Sequence, residues 1–273
     1  MSKFIAALTL LLAVAMASCS TVPADKSLSA KTCIPISEFS DDALLIIGEM
    51  HGTKETPALV ARHVCGLAAA GHNVVLGLEI PNEEQPRLDK FMSSSGTPSD
   101  RADLITAAFW QRTNQDGRSS TAMVELIDQA RALKQSGAGV RLIAIDKPTG
   151  KGSSDAAMAD AIRVGISPDR NSRFVVLMGN YHAGKAPGSP SDPSSKSAAL
   201  LLSDLSPTTV LVASRSGSAW LCMETCGIKL HNSTWAGERA PGFHSNDSPL
   251  PGYDGTYLLE SISASPPAHT QPQ

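Results

Sequence analysis

Gly48-Glu49-Met50-His51 and Gly179-Asn180-Tyr181-His182 are two Gly-x-x-His motifs set far apart in the chain, and Glu79 lies between them. Imidazoles and carboxylates held together transfer protons near neutral pH, or hold a divalent ion. One such motif carries little weight among 21 glycines and 7 histidines. Here each motif directly follows an apolar run, and so does Glu79, which raises the weight of the set. The plainer alternative makes both histidines strand-end turn residues and Glu79 the cap of the next helix.

The runs that must position these groups are Leu44-Leu45-Ile46-Ile47, Val74-Val75-Leu76-Gly77-Leu78 and Phe174-Val175-Val176-Leu177-Met178. Each is apolar at successive positions, as a strand covered on both faces by helices is. A fourth run, residues 140–145, ends in Asp146. In a parallel sheet the ends carrying Glu49 and His51, Glu79, Asp146 and His182 share one rim, where open α/β sheets place their sites. The glycines flanking His51 predict a sharp turn and a close approach to a ligand.

Between the strands, helical spacing predicts helices over residues 57–70, 81–92, 99–110, 120–135 and 155–164. Gly71 marks the stop of the first. The stripe of Met123, Leu126, Ile127, Ala130 and Leu133 is read as core. Residues 111–119 form a polar loop carrying Arg112 and Arg118. Either arginine could clamp a carboxylate or phosphate of a substrate, the alternative being an exposed loop pair. Residues 183–197 read either as a surface loop or as a lid. A short helix over 197–205 leads to strands over 208–213, 220–223, 228–231 and 257–262, with loop over 232–255. His63, His72, His231 and His244 lack a comparable setting and are read as surface residues.

The expected fold is therefore α/β: a single domain with a largely parallel central sheet flanked by helices and a short antiparallel C-terminal addition. Its bounds are residues 41–263, followed by a disordered tail over 264–273. A formal charge of -3, a pI near 6.2 and 4% aromatic residues give no basis for a nucleic-acid partner.

Residues 1–18 read as a signal peptide, with Lys3 before an apolar run too short for an ordinary spanning helix. The run ends in Ala17-Ser18-Cys19, similar to a bacterial lipobox, although Met16 stands where leucine is usual and Ala15-Met16-Ala17 suits ordinary cleavage. The expectation is export, with Cys19 lipidated at the periplasmic side of the outer membrane and residues 19–40 as tether and lead-in; a soluble periplasmic form is the alternative. In an oxidising compartment Cys33, Cys65, Cys222 and Cys226 should pair. Proximity in sequence favours Cys33–Cys65 and Cys222–Cys226.

The paired motifs with the intervening Glu79 resemble the superfamily that groups haem-binding ChaN lipoproteins, Tiki/TraB proteins and erythromycin esterases. The resemblance covers roughly residues 43–262, and the spacing of the first motif is closest to ChaN and Tiki. It implies several activities. In a hydrolase acting on an ester or amide bond of a small molecule or peptide, His51 would be the general base. Glu49 or Glu79 would orient it, and His182 would polarise a carbonyl or assist the leaving group. Asp146, Arg112, Arg118 and Tyr181 would meet the substrate. The Tiki branch implies a divalent metal, for which His51, Glu79 and His182 supply two imidazoles and a carboxylate; the esterase branch implies none. The ChaN branch implies haem binding without catalysis, with Tyr181 or His182 near the iron.

If Cys19 is the anchor, mass spectrometry of the mature N-terminus will find a lipidated Cys19. An unmodified chain beginning at Ser18 would refute it.

Overall fold

The fold is seen in a computed structural model that describes residues 33, 36, 39, 42–148, 154–166, 171–188 and 192–269. The expected signal peptide, Cys19 and most of the tether lie outside the described residues. In chain order the elements are β1 (Leu44–Glu49), α1 (Glu55–Ala69), β2 (Val74–Pro81), α2 (Gln85–Met92), α3 (Pro98–Leu104), α4 (Ala108–Gln111), α5 (Thr121–Gln135), β3 (Val140–Asp146), α6 (Ser154–Ile166), β4 (Arg173–Gly179), α7 (Asn180–Ala183), α8 (Ala198–Leu201), β5 (Thr208–Cys222), β6 (Cys226–Asn232), β7 (Gly242–Ser245) and β8 (Gly255–Ile262).

The strands form one eight-stranded sheet in the order β3-β2-β4-β1-β5-β8-β7, with β6 paired to β5. β1 through β5 and β8 run parallel; β6 and β7 are antiparallel additions. The fold class expected from the apolar runs is the one observed.

Alternation along each buried strand feeds two cores. Leu45, Ile47, Leu76 and Leu78 pack with residues of α1 and α5, such as Val60, Val64, Leu126 and Ile127. Leu44, Ile46, Val75 and Val176 pack on the opposite face with Met158 and Ile162 of α6 and Ala198 of α8. α1 stops where Gly71 takes a positive φ of 87°. Ser120 caps α5 by accepting a hydrogen bond from the Met123 amide. Among the described residues no helix is long and apolar enough to cross a membrane.

Several elements differ from expectation. The helix expected over 99–110 is two: Thr97 and Asp100 form a capping box that starts α3 at Pro98, and Ala107 is extended before α4. The strands expected over 208–213 and 220–223 are one, β5, carried through a polar middle because β6 and β8 supply partners on its two edges. β7 forms within the stretch read as loop. His63, read as a surface residue, is buried, with its ring edge-on to Phe39.

Residues 264–269 are docked rather than disordered. Ala264 bridges to Thr53 and Pro267 to Ser120, while the Ser265 hydroxyl accepts from the Ala122 amide at 2.9 Å. They supply partners for the start of α5, which otherwise has free N–H groups.

Both expected disulfides are present. Cys33–Cys65 ties the lead-in to α1 with a Cα separation of 5.5 Å, and Cys222–Cys226 closes the β5–β6 turn. Cys33 and Cys65 are 32 residues apart, a loop whose closure contributes about 3–4 kcal/mol. Cys65→Ala should lower the unfolding free energy by that order in denaturant titration, and more than Cys226→Ala does. An effect of Cys65→Ala no larger than that of Cys226→Ala would contradict the entropic account.

Candidate functional site

Parallel pairing of β1 with β4 sets Glu49 beside Gly179 at the carboxyl end of the sheet. Two residues beyond Glu49, the chain places His51 above the same rim, and α7 turns back immediately after Gly179 to present His182. On the other side of β4, the β2–β3 register shifts between Leu78 and Pro81. Glu79 lies in this irregularity, which re-aims a strand side chain as bulges do. Its Oε2 accepts the Gly179 amide proton at 2.7 Å.

The motif glycines are there because space is needed. A Cβ on Gly179 would lie 2.9 Å from His51 Nε2, 3.4 Å from Glu79 Oε2 and 3.5 Å from His182 Cδ2. Both rings and the carboxylate therefore share one small space, across more than a hundred residues of sequence. A Cβ on Gly48 would lie 2.2 Å from the Tyr253 hydroxyl, which donates to the Asn180 carbonyl and pins the turn before His182. Gly52 makes the sharp turn expected of it. With φ of 76° its carbonyl accepts from the amides of Trp220 and Ser265, so it clamps backbone to backbone.

From this centre a row of alternating charge extends. His51 Nδ1 is 2.9 Å from Glu49 Oε1, and its Nε2 is 3.5 Å from Glu79 Oε2. Arg118 donates from Nη1 to Glu79 Oε1 at 3.0 Å and to Asp146 Oδ2 at 2.9 Å, and from Nη2 to Asp116 Oδ2 at 2.7 Å. Burial alone would push the His51 imidazolium to lose its proton. The carboxylates of Glu79 and Glu49 outweigh that and raise its pKa from 6.5 to about 10. Burial would likewise raise Glu79, but His51, Arg118 and His182 bring it down to about 2. Burial dominates at Glu49 and raises it; its Oε2 is buried without a hydrogen-bond partner.

His182 belongs to a second, more open pair. Its Nδ1 is 2.8 Å from Asp155 Oδ1, and the same oxygen accepts the Ala198 amide of α8. Burial pulls the imidazolium down, yet Asp155 and then Glu79 raise it above its ordinary value. Holding Nδ1–H on a carboxylate fixes the tautomer that leaves Nε2 as a proton acceptor.

Of the residues singled out from sequence, Glu49, His51, Glu79, His182, Arg118 and Asp146 converge here. Arg112 stands one step back: its donors go to Asp116 and to the carbonyls of Phe109 and Asn114, so it shapes the loop that presents Arg118. Tyr181 is 54% exposed at the rim. Asp155 was legible only as the start of a helix, and Tyr253 lay in a stretch with no pattern to single it out. Asp116 adjoined Arg118 without a signal of its own.

The donor set does not fit the metal expectation. Among the described residues no cluster of His, Cys, Asp and Glu is arranged to hold an ion. Glu79 already carries Arg118, the Gly179 amide and His51, and His51 Nδ1 is taken by Glu49. Haem fits no better. Tyr181 borders a cavity of about 210 Å³, and one of about 200 Å³ also borders Asn180; each has room for a short side arm of a ligand and not for a whole macrocycle.

No family model matches the chain, and no curated protein matches it in sequence. Solved structures do share its fold. A mutant of the erythromycin esterase EreC in its open conformation is 9% identical with a TM-score of 0.62, over 84% of this chain and 93% of that one. A succinoglycan biosynthesis protein is 9% identical with a TM-score of 0.56, over 82% and 89%. A Bacillus cereus protein is 12% identical with a TM-score of 0.52, over 84% and 91%. At such identities the likeness is one of fold.

Removing Arg118 takes away the guanidinium that Glu79, Asp116 and Asp146 share. Arg118→Gln should destabilise the fold by roughly 3–5 kcal/mol at neutral pH. Glu79 has a depressed pKa, so its share is present above 4.5 and is lost as pH falls through about 2. The deficit between Arg118→Gln and wild type should therefore narrow across that window in urea titrations. A deficit that widens on acidification would contradict the pairing.

Proposed function

We propose that this chain is a hydrolase of ester or amide bonds, in which two histidines divide the acid and base roles by charge. The observation that carries the reading is the space beside Gly179, bordered at once by His51, Glu79 and His182. His182, oriented by Asp155, takes a proton from water at Nε2. The water oxygen bonds to the substrate carbonyl carbon. His51, held cationic between Glu49 and Glu79, faces the developing oxyanion and then protonates the leaving oxygen or nitrogen as the carbonyl–leaving-group bond breaks. His182 then carries the extra proton and His51 is neutral, and exchange with solvent resets both. The charge states thus favour His182 over His51 as the base. The 3.5 Å between His51 Nε2 and Glu79 is longer than a good hydrogen bond, which leaves that donor available to a substrate oxygen.

The fold shared with an erythromycin esterase supports hydrolysis, as do the paired motifs, which resemble those of the superfamily of ChaN, Tiki/TraB and erythromycin-esterase proteins. We read it as exported and anchored through Cys19, acting on a small molecule or peptide in the periplasm.

The pH dependence follows from the charges. His182 must be neutral, so kcat/KM rises with pH through a pKa above 6.5, and His51 must be charged, so it falls again near 10. Asp155→Asn removes the carboxylate that raises His182 and should move the rising limb to lower pH. With 4-nitrophenyl butyrate as substrate, His182→Ala and His51→Ala should each lose about 10²–10⁴-fold. The double variant should lose little more, because the two act in one step. Fully additive losses, or a rising limb that Asp155→Asn leaves in place, would contradict the assignment.

A further inference from the structure

Beyond Glu49, where β1 ends and β5 runs on to Cys222, the sheet leaves a cavity of about 200 Å³. That is space for roughly seven water-sized groups. Its walls include Leu211, Val212, Ala213, Leu250 and Ile262, and none of its lining residues is Asp, Glu, Lys or Arg. This contrasts with the row of charges next door. The two are contiguous: Met50 precedes His51, Asn180 follows Gly179, and both line the cavity.

One polar atom in this wall has nothing to do. Ser214 is 3% exposed and lines the cavity, and its Oγ has no hydrogen-bond partner. Its backbone carbonyl is occupied by His231 Nε2 at 3.3 Å, and the nearby Thr53 hydroxyl is satisfied by Thr56 at 3.2 Å. A buried hydroxyl left unpaired in an apolar wall points to a ligand that pairs with it.

We propose that this cavity binds a neutral, mainly apolar arm of the substrate: a short acyl or alkyl chain with one hydrogen-bonding group that meets Ser214 Oγ. The inference rests on the hydrolytic reading for the reaction, but binding in the cavity needs no turnover. A charged arm is disfavoured, because no Asp, Glu, Lys or Arg lines the cavity to receive it.

Hexanamide, titrated calorimetrically into the full mature chain, tests the pocket. Saturable one-to-one binding is expected, weakened about fivefold to tenfold by Ser214→Ala and abolished by Ala213→Phe, which fills the space. Ser214→Ala removes one oxygen, so it keeps the test sharp should the larger side chain prevent folding. Turnover of 4-nitrophenyl hexanoate is measured in parallel. Binding that responds to the variants without turnover supports the pocket and sinks the reaction. No saturable binding to wild type, or binding untouched by both variants, overturns the pocket whatever the turnover, and leaves the cavity as a water site.

Discussion

A buried carboxylate cannot stay ionised unless something answers its charge, and Glu79 is the residue on which that constraint falls. At 6% exposure it is charged because the Gly179 amide, Arg118 and His51 converge on its two oxygens. Each comes from a different part of the chain. β4 brings the amide, the loop before α5 brings the guanidinium, and the turn after β1 brings the ring. Meeting the demand of one carboxylate thus fixes the relative positions of three segments. It also places His182 within reach of the others.

The same arrangement settles charge states. Because Glu79 is held ionised, His51 between two carboxylates keeps its proton well past neutrality. His182 faces one dedicated partner, Asp155, and is raised less. Two imidazoles of the same ordinary pKa therefore diverge, which is how one site can carry an acid and a base at one pH. The cavity bordering Asn180 completes the contrast: charge is concentrated around Glu79 and His51, while no Asp, Glu, Lys or Arg lines the cavity.

The scaffold explains why such density of charge is tolerated. Strands buried on both faces supply two cores, and the charged groups of the site sit at the carboxyl rim, where loops rather than packing decide geometry. The docked segment 264–269 and the Gly52 carbonyl tie those loops to the sheet.

The chain's apolar runs determined much of this without help. A strand buried on both faces must read as a continuous apolar stretch, so β1, β2 and β4 and the parallel class were legible. So was the rim shared by Glu49, His51, Glu79, Asp146 and His182, because parallel strands deliver their ends to one side. β5 was read as two pieces and β7 as loop, since their pairing is set by neighbours across the sheet and their own residues are too polar or too few to announce it. Asp155, Asp116 and Tyr253 belong to the same class. An aspartate at a helix start looks like any other until the fold sets it 2.8 Å from a histidine. Local periodicity encodes which faces are buried. The identity of a long-range partner, and the pKa it imposes, arise only when segments distant in sequence are brought into one low-dielectric space.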